Sequence, residues 1–261
     1  MLSALTAATR PLQAVRSPRA LGAVMESPAD LEALASKANP VLGFYDPLNL
    51  AGAEFWGMSN EATIGWLRHA EIKHGRVAMF GFVGYCAQAN GIHWPGNLNT
   101  AGLSFAQVSA AGSPFEQWDA LPSAAKLQIL GAIGLFEWFG ESKYALEQSG
   151  EKHYMRGGTP GKYPSLKTAG VPHPVPFDLF NPFGFLLKGA TPEKKAAGLV
   201  AEINNGRLAM FGIMGFAAAA KVPGSVPALT FIPPYAGEPM AAFSAANSDL
   251  PMVADMLKSG F

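Results

Sequence analysis

The fold class this sequence predicts is an all-α membrane protein with three transmembrane helices. The first and third are expected to be related by a pseudo-twofold axis and to cross via Glu–Arg pairs. Three observations point there. Only 15% of the residues are charged, against about 25% in an average soluble domain, while 49% are hydrophobic. Three segments carry helix start and stop signals around apolar runs. One of them is repeated: residues 70–85 read AEIKHGRVAMFGFVGY and residues 201–216 read AEINNGRLAMFGIMGF, identical at ten of sixteen positions without a gap.

From the N-terminus, residues 1–25 hold Arg10, Arg16 and Arg19, several Ser, Thr and Ala, and no acid. That composition suits an organelle transit segment or a linker. Residues 26–58 read as a loop region and 59–222 as the three-helix domain. Residues 223–261 read as a C-terminal loop that ends in a short amphipathic helix over Asp249 to Phe261.

The first helix should start at Ser59 or Asn60, either a good N-cap, and stop near Asn90-Gly91. Trp66 and Trp94 lie near its ends, as interface anchors would. Such a helix rises roughly 42 Å, more than a hydrocarbon core of ~30 Å, so it is expected to tilt or protrude. The second should run from Ser123 to Glu147. The third opens on Thr191-Pro192-Glu193, a cap, a proline at the first helical position and an acid in the first turn, and ends near Lys221-Val222-Pro223.

Hydropathy alone is ambiguous. The uninterrupted apolar parts, Val77 to Ala87 and Leu208 to Ala220, are shorter than a bilayer needs. Each follows a Glu, an amide or imidazole, and an Arg. A weaker echo precedes each copy: Tyr45-Asp46-Pro47-Leu48-Asn49-Leu50 resembles Phe180-Asn181-Pro182-Phe183-Gly184-Phe185. The chain therefore has two related halves around a middle helix, and such repeats commonly pack about a pseudo-twofold.

Helical geometry assigns the charges. Glu71 and Arg76 are five residues apart, about 140° around one axis, so they do not face each other. Across a pseudo-twofold, Glu71 can meet Arg207 while Glu202 meets Arg76. Each charge is then neutralised where an unpaired one costs at least ~2.5–3.5 kcal/mol. Small residues recur at Ala78, Gly81 and Gly84 and at Ala209, Gly212 and Gly215, a stripe suited equally to a close helix or a flat ligand.

His74 lies three residues after Glu71, and Asn205 three after Glu202. The magnesium of a tetrapyrrole has four nitrogen ligands and takes one more axial donor. Imidazole nitrogen, amide oxygen or an Arg-neutralised carboxylate can each serve. A lone histidine in an apolar helix reads equally well as a hydrogen-bonded structural residue. Here donors recur at equivalent places in both halves.

E-x-x-H-G-R in the first helix and E-x-x-N-G-R in the third, each followed by x-A-M-F-G, resemble the light-harvesting chlorophyll-binding superfamily over roughly residues 40–222. The resemblance implies that Glu71, His74, Glu202 and Asn205 are chlorophyll ligands, with Arg76 and Arg207 as ion-pair partners of Glu202 and Glu71. It implies that the Asp46-Pro47 and Asn181-Pro182 loops hold the ends of two carotenoids. The middle helix contributes Gln128 and Glu137, nine residues apart, with Glu141 a turn further. That spacing looks like the chlorophyll a/c antennae of the fucoxanthin or peridinin type, since the plant a/b antennae space this pair by eight. A packing role for Gln128 and Glu137 stays open. The implied cofactors are chlorophyll a, chlorophyll c and xanthophylls of fucoxanthin, peridinin or diadinoxanthin type. The implied partners are a photosystem core (I or II), other antenna subunits and lipids of the plastid thylakoid membrane.

One departure stands out: where plant relatives carry a later Gln or His on the third helix, this chain has Ala219. His69, His93, His153 and His173 are candidate peripheral ligands or simply solvated. Cys86 reads as a small core residue. Nineteen basic residues balance nineteen acidic ones, so no global field points to nucleic acid. No nucleophile elbow, phosphate-binding loop, dinucleotide-binding glycine motif or zinc spacing suggests an enzyme. Two other readings share the pattern: a photoprotective member of the same superfamily with Glu116 and Asp119 as acid sensors, and a pigment-free transporter.

Overall fold

The computed structural model describes residues 27–166, 191–239 and 241–258. The 1–25 segment, the Asn181-Pro182 loop with its Phe180–Phe185 echo, His173 and the last residues of the tail lie outside them.

Helix α1 (Pro28–Ala38) is opened by a reciprocal cap. Ser27 Oγ accepts from the Asp30 N–H, and the Asp30 carboxylate accepts from the Ser27 N–H. Helix α2 (Asn60–Ala89) starts on Ser59, whose hydroxyl accepts from the Ala62 N–H, and ends at Asn90. Short helices α3 (Phe105–Ser109) and α4 (Pro114–Asp119) carry the same Ser cap logic at Ser104 and Ser113. Then come α5 (Ser123–Glu141), α6 (Lys143–Gln148), α7 (Pro192–Lys221) and α8 (Pro251–Lys258). Apart from one bridge, Asn97 to Ser104, the described residues contain no β-structure.

One expectation needs correction. The second helix stops at Glu141 instead of reaching Glu147, because Ser142 adopts extended backbone (φ −66°, ψ 136°) and its hydroxyl caps α6 through the Ala145 N–H. A serine side chain that offers the backbone a local partner favours such a break. On hydropathy, no helix among the described residues is long and apolar enough to cross a membrane. The charges are the reason. Glu71, Lys73 and Arg76 interrupt α2, Glu202 and Arg207 interrupt α7, and the most apolar of the three, α5, has only 19 residues.

The long helices α2 and α7 touch backbone to backbone. A Cβ built on Gly75 would lie 3.1 Å from Gly206 Cα, and one on Gly206 would lie 2.9 Å from Gly75 Cα. These two glycines occupy the same place in the repeat. The small-residue stripe is divided between helix contact and open surface. Gly81 and Gly84 face open space, while Gly212 lies against the Phe82 ring. Beyond the crossing, Phe82 and Tyr85 stack on Phe216 (centroids 5.1 and 4.5 Å apart), and Phe115 stacks on Tyr235 (5.4 Å).

Two loops complete the frame. The segment after α6, residues 150–166, straps α2: Gly157, Gly158, Pro160, Gly161, Pro164 and Leu166 are buried. Gly65 of α2 leaves no room for a Cβ beneath the Tyr154 carbonyl (2.5 Å). Gly161, at φ +75°, sits on Ile72 where a Cβ would be 2.6 Å from its side chain. At the opposite end the chain after α7 folds back, with the Tyr235 N–H donating to the Ala220 carbonyl at 2.8 Å. Ala219, Ala220, Ile232 and Tyr235 form a buried cluster there. Lys126, fully buried, donates to Asn247 Oδ1 at 2.6 Å, and Trp118 Nε1 donates to the Ala242 carbonyl at 2.9 Å.

Helix α5 is different in kind. Every residue from 127 to 138 is exposed, although Leu127, Ile129, Leu130, Ile133, Leu135, Phe136 and Trp138 are large and apolar.

Candidate functional site

The crossing of α2 and α7 brings carboxylates and guanidinium groups of different helices together. Arg76 Nε lies 2.5 Å from Glu202 Oε1, and Arg207 Nε lies 2.7 Å from Glu71 Oε1. The contacts are reciprocal, as the Gly75–Gly206 contact between them requires. They are not identical. Glu71 also takes Arg68, whose repeat counterpart is Leu199, so it meets two guanidinium groups where Glu202 meets one. Arg76 in turn donates to the Gly161 carbonyl, which fastens the strap to the crossing.

Two histidines on α2 have opposite nitrogen chemistry. His74 Nδ1 is 2.8 Å from the Ala70 carbonyl. A carbonyl only accepts, so Nδ1 carries the proton and Nε2 keeps its lone pair on an exposed side chain. His69 is the reverse. The Gly161 N–H donates to His69 Nδ1 at 3.1 Å, which places the proton on Nε2 and leaves no nitrogen free for a metal. Its ring is buried and stacked on Tyr154 at 3.8 Å. Among the candidate peripheral histidines, then, His69 holds the strap. His153 also accepts an N–H on Nδ1, from Met155, and its Nε2 lies 3.9 Å from Glu141. His93 Nδ1 is 3.1 Å from the Trp94 carbonyl.

The other donors are spread along exposed faces. Asn205 is exposed on α7, and Gln128 and Glu137 are exposed on α5. Glu137 is ion-paired with Lys73 of α2. Glu141 accepts from the Tyr154 hydroxyl at 3.0 Å. Burial and that carboxylate push the Tyr154 phenol up to about 12. Asp46 spends its carboxylate on the backbone, accepting the Leu50 and Ala51 N–H groups at 2.9 Å each. The bonds from Ala51 and Leu50 hold it below the usual carboxylate range. Pro47 follows it into the turn, and the loop borders a cavity of about 450 Å³ lined by Leu34, Leu42, Tyr45, Leu67, Arg68 and Arg207. A second cavity, about 210 Å³, lies between α2, α5 and the strap.

This set of donors carries no hydrolytic or transfer constellation, and among the described residues no group of three His, Cys, Asp or Glu could hold a metal ion by itself. Single axial donors on open helix faces suit a metal that brings its own equatorial ligands. The sequence model of chlorophyll a-b binding proteins matches residues 28–221, which spans α1 to the end of α7. The chain belongs to this family. Its members bind pigment and are not enzymes.

Individual relatives agree with that membership. A chloroplastic fucoxanthin-chlorophyll a-c binding protein of Trieres chinensis is 30% identical over 227 residues, 87% of this chain and 94% of that protein. Protein C of the same description from Phaeodactylum tricornutum is 30% identical over 179 residues, 69% of this chain and 74% of its own. Protein F from the same organism is 37% identical over 100 residues, 38% of this chain and 47% of its own.

Several residues that shape the family site here carry no signal in the linear sequence. Arg68 and Lys73 look like solvated helix charges, and Gly161 looks like a loop glycine. Only the strap on α2 and the ion pairs of Arg68 with Glu71 and of Lys73 with Glu137 show what they do. Ala219 lacks a donor and is also covered, 4% exposed beside Ile232 and Tyr235.

Proposed function

We propose that the protein is a light-harvesting antenna of the plastid thylakoid membrane, spanning it with α2, α5 and α7. It binds chlorophyll a, chlorophyll c and xanthophylls of fucoxanthin, peridinin or diadinoxanthin type, and passes excitation to neighbouring antenna subunits and a photosystem core (I or II). The observation that carries this reading is α5, an apolar helix exposed on every side from residue 127 to 138. Burying a large apolar side chain is worth about 1.5–3 kcal/mol, so a helix this bare calls for cover from outside this chain. Lipid alone would leave Gln128 without a role on that helix. As a donor to chlorophyll magnesium it would have one.

The residues present fit a bound tetrapyrrole. His74 keeps Nε2 free and outward, Gly81 and Gly84 leave α2 flat beside it, and the paired Glu71 and Glu202 are neutralised by guanidinium groups. Bound chlorophyll and xanthophyll supply absorption and excitation transfer. The protein supplies fixed distances. Glu71, His74, Glu202 and Asn205 are the donors of the crossed pair, and Gln128 and Glu137 those of α5. Arg76 and Arg207 pair with Glu202 and Glu71 and lock the crossing. The Asp46-Pro47 turn holds one carotenoid end, and the repeat gives Asn181-Pro182 of the second half the same role. The charges that lower the hydropathy of α2 and α7 pair with each other, which removes the main obstacle to membrane insertion.

Mild detergent extraction followed by absorption spectroscopy tests the proposal. Co-purifying chlorophyll and xanthophyll bands are expected. A colourless, folded, transport-competent protein would overturn it.

A further inference from the structure

Glu137 stands on α5 far from any cation of its own helix. The other charged groups of α5 are Glu141 and Lys126, and Lys126 lies eleven residues earlier with its Nζ turned to Asn247 at 2.6 Å. The cation that Glu137 meets is Lys73, from α2. Lys73 belongs to the repeated motif, yet its counterpart in the second half is Asn204, which is neutral and donates to the Ala38 carbonyl at 3.0 Å. The repeat and the crossing therefore do not require a lysine here. What differs between the two sides is α5, which lies beside α2. The Lys73 ammonium reaches one oxygen, Oε2, and is a point charge, unlike a guanidinium fork that spans both. That leaves Oε1 for another partner. Both side chains line the cavity of about 210 Å³ between α2, α5 and the strap.

We propose that Lys73 is a positioning residue for the ligand on the middle helix. Its ammonium neutralises Glu137 across the gap between α2 and α5 and turns Oε1 outward as an axial donor to chlorophyll magnesium. The site on α5 thus becomes a third ion-paired carboxylate, with its cation supplied by another helix as at Glu71 and Glu202. This rests on the reading of Glu137 as a chlorophyll ligand. Without Lys73 the carboxylate would lose the contact that fixes Oε2 and could turn toward a polar surface, which withdraws the donor.

The test is reconstitution of the full chain with chlorophyll a, chlorophyll c and xanthophyll, reading chlorophylls per chain and the absorption difference spectrum of each variant. Glu137→Ala and Lys73→Met should each lose one chlorophyll and the same red absorption band. Lys73→Arg should keep both. Lys73→Met combined with Glu137→Gln should regain at least half of the lost occupancy, because a neutral amide offers an oxygen without needing a cation. If Glu137→Ala loses a chlorophyll while Lys73→Met keeps all of them, the role of Lys73 falls and the ligand reading stands. If Glu137→Ala loses none, the ligand reading falls and this inference falls with it. A uniform loss across all bands in Lys73→Met that the double variant does not relieve would mean that Lys73 only packs, which also overturns the inference.

Discussion

The crossed pair α2–α7 and the lone helix α5 answer the same problem in opposite ways. In the pair, backbones meet at Gly75 and Gly206, and two carboxylates are held by guanidinium groups of the facing helix. Protein contacts protein, and the geometry is set by sterics and charge within the chain. Helix α5 has no such neighbour around residues 127–138. It is tied at its ends instead: Lys126 and Ser123 bond the C-terminal segment at one end, and Tyr163 donates to the Phe136 carbonyl near the other at 2.8 Å. The pair builds the scaffold, and α5 presents a surface for other molecules. Substitutions at the crossing should therefore act on folding, and substitutions on α5 should act on what is bound.

The largest effect is expected where the backbones touch. Gly206→Leu would put a side chain into the Gly75 backbone, part the helices and disengage both ion pairs. Overpacking alone costs about 1–3 kcal/mol, and the broken pairs add to it. No assembled protein should be recovered from reconstitution, and a wild-type yield would mean that the helices do not cross there. Next comes Arg76→Leu, which leaves Glu202 without its guanidinium and frees the Gly161 carbonyl. Breaking a fully buried pair from one side costs about 3–5 kcal/mol, and because these two side chains are 33% and 30% exposed the loss should fall below that range. Melting temperature should drop sharply, and Glu202→Gln added to it should recover part of the loss. A double variant no better than the sum of the singles would show that the two residues are not coupled.

His74→Ala should be milder, because a neutral ligand leaves no charge behind. One chlorophyll per chain should disappear while the melting curve moves little; an unchanged chlorophyll count would remove His74 from the ligand set. The smallest effect on the protein itself is expected on α5. Leu135→Ala removes a side chain that is 62% exposed, so the apoprotein should lose no more than ~0.5 kcal/mol. Any shift should appear in the pigment spectrum. A large loss of apoprotein stability would mean that α5 packs on protein after all.

Much of the frame was legible in the linear chain. Ser59 and Thr191 mark the starts of α2 and α7, because a cap is chemistry between a side chain and an N–H two or three residues away, whereas α5 starts at Ser123 without a side-chain cap. The end of α5 was not, since the choice between continuing past Glu141 and recapping at Ser142 depends on where α6 must lie. The strap was illegible for a similar reason. Residues 150–166 are rich in Gly and Pro and read as surface loop, but Gly157, Gly158 and Gly161 are buried against α2. Within the site, the repeat pointed to Glu71, His74, Arg76, Glu202, Asn205 and Arg207. It did not show that His69, five residues before His74, spends its Nδ1 on the Gly161 N–H. Nor did the small-residue stripe show where the helices touch: spacing gives a face, and only the crossing gives the point on it.

By itself the sequence determined that the chain has two related halves, where its long helices begin, and which residue types recur as donors. These are local or self-referential facts, carried within a turn of helix or by identity between two segments. The tertiary structure decided that Gly75 meets Gly206, that Gly161 takes one nitrogen of His69, that Lys73 serves Glu137, and that Ala219 is covered by Ile232 and Tyr235. Each of these joins residues far apart in the chain, and each depends on van der Waals contact or a hydrogen bond a few ångströms long, a scale that no periodicity in one strand of sequence can specify.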